Sequence, residues 1–365
     1  MIRSVAMVSP YDLSSPGGVQ EQVMGLADEM GTRGWSVTVG APGPSEPWVD
    51  KSWQHRSLGR SRRISANGSV APIGLNVPAA NAFAKFCDAE NIDVVHIHEP
   101  LAPMASWALL RRNDIPVVAT FHRSGVDVLA SAGGLILGRY LKRIAASAAV
   151  SEAAARTARD TVGLRPEILW NGLDLHLFDG IEPWPTSGPT ILFLGRDEPR
   201  KGRKVLLEAA RHLDSSITLW VTGVSDGEAE RPGAKVEFLG QISNEEKRRR
   251  LLGAQVFCAP SLGGESFGLV LAEGLLSGSI VVASDIDGYR QVLGDLGVLV
   301  TPGDVGALSG ALARACSQGP REGKQRVAEF LSAYSLESLA QRYESLYLSL
   351  LDEKPSGHGV AFGYG

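Results

Sequence analysis

The 365-residue sequence is poor in cysteine: Cys87, Cys258 and Cys316 are its only three, odd in number and widely spaced. No C-x-x-C pair or Cys/His cluster accompanies them, which excludes a disulfide framework and a zinc knuckle and predicts buried, inert thiols in a reducing compartment. Long apolar runs are missing too. No stretch of 18 apolar residues exists, so any membrane contact is expected to be peripheral. The apolar run Ser4–Ser9 meets Pro10 and a glycine-rich loop, too short and wrongly flanked for a signal sequence, and a cytoplasmic protein is expected. Excess positive charge is also lacking. Lys plus Arg total 36 against 40 Asp plus Glu, a formal net charge of −4, which argues against nucleic acid as a partner and confines any anion site to a local cluster.

What is present is the composition of a soluble globular protein, 44% hydrophobic and 21% charged, at a length that predicts two domains. Short β-rich apolar runs alternate with helix-periodic stretches, the pattern of βα units on a parallel sheet. This happens twice. Strands are predicted near Val5–Ser9, Ser36–Gly40, Val94–His98, Val117–Phe121 and Ala148–Ser151, with a helix over Val19–Arg33. A second set is predicted near Thr190–Leu194, Ile217–Thr222, Val236–Leu239, Val256–Ala259, Ile280–Ala283 and Gly297–Val300. Pro183, Pro185, Gly188 and Pro189 mark a linker between them. The expected division is therefore 1–177, a linker at 178–189, a second domain at 190–334, a helix at 335–351 packing back across the junction, and a frayed tail at 352–365. Two facing doubly wound domains would leave a deep cleft lined by strand ends and helix N-termini.

Four segments carry chemistry. In Ser15–Val23 (SPGGVQEQV), Gly17 and Gly18 let backbone approach a ligand, and free N–H groups at a helix start suit an anion. The dinucleotide fingerprint G-x-G-x-x-G is absent. In Gly195–Gly202 (GRDEPRKG), Arg196 and Lys201 stand at the C-terminal mouth of a strand, where a diphosphate needs its charge neutralised; solvated loop charge is the alternative. In Leu262–Gly278 (LGGESFGLVLAEGLLSG), the backbone of Gly264, Ser266, Phe267 and Gly268 runs into a helix. Glu265 could accept from sugar hydroxyls, and Glu273, about two turns on, from a ribose. In Val117–Gly125 (VVATFHRSG), His122 follows a strand and could donate to a sugar hydroxyl, or could be a structural histidine. His96 and His98 are read as structural or acceptor-side. The D-x-D at Asp285–Asp287 is read as a turn and N-cap, and the run Glu245–Arg250 as an exposed helix face. The basic run His55–Arg63 is read as a solvated loop or an anion contact, and Phe83 and Phe86 as core.

Taken together, the GGV turn, VVHIHEP, ATFH, FLGRDEPRKG and CAPSLGGESFG resemble the retaining glycosyltransferases of family 4. The similarity spans about residues 1–350 and is greatest to the actinobacterial phosphatidylinositol mannosyltransferases. The resemblance implies a GT-B fold and transfer of mannose from GDP-mannose to phosphatidylinositol at the inner membrane leaflet, with retention. It implies Arg196 and Lys201 on the donor diphosphate, Gly18 beside it, Glu265 and His122 near the transferred sugar, and Glu273 on the ribose. Tyr11, Gln20, Asn67, Ser69 and Arg123 become acceptor candidates. No cofactor, metal or obligate protein partner is expected, because cations and helix N-termini can themselves stabilise the departing diphosphate. On the acceptor side the chain differs from that group: Asn76–Asn91 offers only Lys85 where those enzymes carry a basic helix, Pro72 replaces an arginine after NGSV, and Arg123 replaces a small hydroxyl residue after TFH. A family-4 enzyme with another nucleotide sugar and a different lipid or soluble acceptor is the alternative, and a sugar-nucleotide epimerase of the same architecture a remoter one.

Overall fold

A computed structural model describes residues 2–15, 17–44, 48, 50–66, 69–102, 105–111, 115–123, 140–224, 233–265, 267–318 and 324–352. By its contacts the chain divides into two compact units, 1–172 with 336–365, and 173–335. The proline-rich stretch 178–189 thus lies inside the second unit. It is held there by the Trp184 amide, which donates to the Arg249 carbonyl at 2.7 Å, and by the Trp184 ring beneath Arg250 at 4.1 Å.

The first unit contains β1 (Ser4–Val8), α1 (Gly18–Thr32), β2 (Ser36–Ala41), β3 (Gln54–Ser57), β4 (Ser61–Ala66), β5 (Ser69–Gly74), α2 (Val77–Ala89), β6 (Val94–His98), α3 (Ala105–Leu110), β7 (Val117–Phe121), β8 (Ile144–Ala149), α4 (Glu152–Val162) and β9 (Glu167–Ile168). Seven of these strands form one sheet in the order β3-β2-β1-β6-β7-β8-β9, and β4 and β5 form a separate antiparallel hairpin. Every pairing in the large sheet is parallel. Burial on both faces is why β1 and β7 read as near-continuous apolar runs; β6, VVHIH, is equally buried but carries His96 and His98 between its apolar residues. Two differences from the sequence reading have simple causes. Strands β3 and β4 are short and polar, so the basic run His55–Arg63 gave no hydrophobic signal, yet it lies largely in strands. The strand expected through Ser151 ends earlier because the Ser151 hydroxyl caps α4, accepting from the Ala154 amide at 3.1 Å.

The second unit contains β10 (Thr190–Phe193), a 3₁₀ turn (Pro199–Lys201), α5 (Arg203–Ala210), β11 (Thr218–Thr222), β12 (Lys235–Gly240), α6 (Asn244–Gly253), β13 (Val256–Ala259), α7 (Leu269–Leu276), β14 (Ile280–Ser284), α8 (Asp287–Leu293), β15 (Val298–Val300), α9 (Val305–Ser317) and α10 (Lys324–Ser332). Its six strands run in the order β12-β11-β10-β13-β14-β15, the doubly wound order in which chain direction reverses between the first and fourth strands of the unit. All three cysteines are buried.

The last helix, α11 (Leu336–Asp352), returns to the first unit. Leu339, Ala340, Tyr343 and Tyr347 on its inner face join the core that α1 builds on one face of the large sheet, while α2, α3 and α4 cover the other. Among the described residues, no helix is long and apolar enough to cross a membrane.

Candidate active site

In open α/β sheets, ligands bind beyond the carboxyl ends of the strands where chain direction reverses. In the first unit those strands are β1 and β6, and in the second β10 and β13. The segments singled out above follow these strands, or β7 beside them.

In the second unit the loops after β10 and β13 are tied together. The Leu262 amide donates to the Arg200 carbonyl at 2.7 Å, and the Arg200 guanidinium donates to the Gly264 carbonyl at 3.1 Å. One oxygen of Glu265 receives both Arg200 Nη1 at 2.6 Å and Lys201 Nζ at 2.7 Å. Glu198 pairs with Arg200 at 2.7 Å and with Arg196 at 3.3 Å. Three cations therefore share two carboxylates and leave one positive charge over. Lys201 is well covered, whereas the Arg196 side chain is 61% exposed. Gly202 makes this possible: its φ is +74°, and a Cβ there would lie 1.8 Å from the Pro260 carbonyl oxygen, so only glycine lets the loop turn against the end of β13.

Glu273, on the second turn of α7, is buried, and its Oε1 accepts from Lys247 Nζ at 2.9 Å. Its Oε2 is buried with no hydrogen-bond partner among the described residues. A buried carboxylate oxygen left bare among the described residues is an unused acceptor. Phe267 is 2% exposed, and its ring lies tilted against that of Tyr334 at 5.8 Å. Gly268 immediately precedes α7, and Ser266 lies outside the described residues.

In the first unit, α1 starts at Gly18 with no side chain capping it. The Gln20 side chain folds back over Gly17 so closely that a Cβ there would lie 2.4 Å from Gln20 Oε1. Tyr11 is buried and bridges to Ile73 of the β4–β5 hairpin. Asp12, which the sequence reading passed over, staples the same loop: its carboxylate accepts from Ser14 at 2.6 Å and from Ser61 at 2.8 Å. Ser69 opens β5; its side chain, like all of Asn67, lies outside the described residues. His122 directly follows β7 and is buried, with Nε2 3.0 Å from Nδ1 of His98 and its amide donating to Glu99. Burial holds its pKa down at about 3, so the ring is neutral near pH 7. Arg123 beside it is half-buried.

Two expectations are corrected. The run Glu245–Arg250 is not an exposed face: Lys247 points to Glu273, and Arg250 is buried between Trp184 and Trp220, at 4.1 and 4.6 Å from their rings. Asp285 and Asp287 do not cap α8, whose N-cap is Ile286; both carboxylates pair with Arg290. Phe83 lies in the core as expected and Phe86 packs against it, partly buried, with Arg56 over its ring at 3.5 Å, which takes one arginine of the basic run out of free solution. Arg200 and Lys247 were missed because nothing in their own segments signals a partner 65 or 26 residues away.

Comparison with known proteins agrees with this architecture. Residues 16–177 match the model of Glycosyltransferase Family 4, and residues 178–329 that of the Glycosyl transferases group 1. The phosphatidyl-myo-inositol mannosyltransferase of Mycolicibacterium smegmatis is 39% identical over 323 residues, 84% of this chain and 83% of that one. The enzyme of the same description from Propionibacterium freudenreichii is 36% identical over 335 residues, 87% of each chain. Among solved structures, sucrose-phosphate synthase from Thermosynechococcus elongatus superposes with a TM-score of 0.74 at 21% identity, covering 96% of this chain and 100% of that one. Anabaena HepE, solved with UDP and glucose, gives a TM-score of 0.68 at 15% identity, covering 95% and 100%. The fold is GT-B, and with both units matched and over four-fifths of a 39%-identical relative covered, the chain belongs to the family 4 glycosyltransferases.

Proposed function

We propose that this glycosyltransferase moves mannose from GDP-mannose to the inositol ring of phosphatidylinositol, with retention of configuration, working from the cytoplasmic surface of the membrane. The observation that carries the reading is the 36–39% identity to phosphatidyl-myo-inositol mannosyltransferases, which extends through both units rather than through the donor-binding half alone.

The chemistry follows from the residues. As the bond to the departing diphosphate breaks, positive charge grows on the anomeric carbon and negative charge on the phosphate oxygens. Lys201 and Arg196 offset that negative charge in this reading, and a preorganised donor of this kind contributes about 3 kcal/mol to the transition state. Glu265 holds Lys201 in place and keeps an oxygen for the sugar, while the bare Oε2 of Glu273 receives a ribose hydroxyl. In the first unit, the open start of α1 supplies N–H groups to the diphosphate, and neutral His122 donates a hydrogen bond to the sugar. The acceptor proton passes to a donor phosphate oxygen on the face the diphosphate leaves.

The test incubates the protein with GDP-mannose, GDP-glucose or UDP-glucose, with and without phosphatidylinositol vesicles, and follows nucleotide release and labelled lipid. GDP-mannose turnover should rise several-fold with the lipid and yield an α-linked mannolipid. Turnover that never responds to phosphatidylinositol refutes the acceptor, and a faster UDP-sugar refutes the donor.

A further inference from the structure

The imidazoles of His96, His98 and His122 form a file across neighbouring strands β6 and β7. Ring centroids of His96 and His98 are 4.2 Å apart and those of His98 and His122 5.3 Å. At its rear, both nitrogens of His96 are taken. Nδ1 lies 2.6 Å from the Tyr347 hydroxyl and Nε2 2.7 Å from the Thr120 hydroxyl, which the Tyr343 hydroxyl also meets at 2.7 Å. Helix α11 thereby fixes the ring against which His98 stacks. At its front, Nδ1 of His98 lies 3.0 Å from Nε2 of His122. The other nitrogen of His98, Nε2, is buried and has no hydrogen-bond partner among the described residues.

That bare nitrogen determines where the protons sit. Burial lowers the pKa of all three rings, to about 3 for His96 and His122 and well below the ordinary value for His98, so each carries a single ring proton. One hydrogen bond between two neutral imidazoles needs one N–H and one lone pair. Were His122 the donor, His98 would have to carry its proton on Nε2, a buried N–H with nothing to receive it. With His98 the donor, its Nε2 is a lone pair, and no N–H is stranded. Buried N–H groups without an acceptor are the rarer defect in proteins, since the full loss of hydration falls on them.

We propose that His98 is a positioning residue, which donates from Nδ1 to Nε2 of His122 and so fixes the proton of His122 on Nδ1. The inference rests on the reading that His122 meets the transferred sugar. It deepens that reading, because His122 then presents a donor at its remaining nitrogen and cannot serve there as a base. The same division of labour, in which one side chain sets the tautomer of another, is why a partner's loss changes rate more than binding.

The proton position is read directly from long-range ¹H–¹⁵N spectra of protein labelled in its histidine rings, with His122→Gln assigning the signals. His122 is expected as the Nδ1–H tautomer in the wild-type protein, and an Nε2–H signal overturns the proposal whether or not the protein turns over any substrate. For the role in turnover, His98→Phe keeps an aromatic ring in the file without a donor, and His98→Asn keeps an N–H near the place of Nδ1. With GDP-mannose and phosphatidylinositol, Phe should lower kcat on the order of tenfold to a hundredfold, with the donor KM within about twofold, and Asn should recover most of it. A wild-type kcat for His98→Phe overturns the positioning role. Failure of the mannosyl-transfer reading shows differently, as a wild-type protein that does not turn over the mannose donor.

Discussion

Acidification should loosen the first unit and spare the second. His96, His98 and His122 all lie in the first unit and are held neutral by burial, whereas the unfolded chain protonates each near pH 6.5. Below that pH the unfolded state binds more protons than the folded one, so the folded state loses stability as pH falls from 6.5 toward 3. Between pH 7.5 and pH 5.0 a ring whose pKa falls from 6.5 to about 3 costs about 2 kcal/mol, at about 1.36 kcal/mol per pH unit below 6.5. His96 and His122 together cost about 4 kcal/mol, and His98 adds in the same direction, as does half-buried His55. Carboxylates held low, such as Glu344 beside Trp35 and Arg33, act only below their ordinary range near 4.5 and stay silent here. In the second unit His176 is raised, chiefly by its hydrogen bond to Asp179, but it is fully exposed. A two-unit chain need not unfold in one step, so the measurement must be local. Hydrogen exchange read by mass spectrometry, corrected for the intrinsic pH dependence, should show the most protected amides of β6 and β7 opening about 4 kcal/mol more easily at pH 5.0, with β10 and β13 changed by less than about 1 kcal/mol. His96→Gln should remove about half of the difference. Equal protection of β6 and β7 at both pH values would refute the claim that these rings are buried and neutral.

Two further outcomes test the second unit. Lys201→Ala should lower kcat/KM for the nucleotide sugar roughly a hundredfold, about 3 kcal/mol of lost diphosphate stabilisation, while the melting temperature moves little because Glu265 keeps Arg200; steady-state kinetics and a thermal scan check both halves. Glu273→Gln should raise the donor KM about tenfold, the value of one hydrogen bond to a charged acceptor, and leave kcat within about threefold. The same tenfold loss with a 2′-deoxyribose donor analogue, and no additive effect in the variant, would assign the contact to that hydroxyl.

Much of the architecture was readable from residue order because parallel strands buried on both faces leave near-continuous apolar runs, as in Val117–Phe121. The switch-point loops were readable because glycine and proline stand where apolar runs stop. Lateral partners were not. Arg200 lies one residue from Lys201 and looks like ordinary loop charge until the loop after β13 brings Glu265 against it. Glu245–Arg250 has the composition of a solvated face, and only Trp184, Trp220 and Glu273, supplied by three other segments, turn two of its cations inward. The hairpin β4–β5 escaped for the opposite reason: its first strand is polar and its second contains Pro72, so little periodicity announces a pairing held by backbone bonds and Asp12.

The electrostatics of the second unit explain why its cations are paired before any ligand arrives. Lys201 is well covered, and an uncompensated ammonium in such a place would cost desolvation energy or open the loop. Glu265 removes that cost, but on the proposed reading the same carboxylate would compete with a diphosphate, because its one oxygen holds both Arg200 and Lys201. A diphosphate bound as proposed would exchange one anion for another rather than fill an empty cation site. Exchange of this kind makes affinity modest, since what is gained on the phosphate is offset by what Glu265 gives up. It favours the transition state, because charge on the phosphate increases as the sugar departs whereas charge on the carboxylate does not. On that reading a Glu265 carboxylate released from Lys201 would meet the donor that arrives with the same ligand, a sugar hydroxyl.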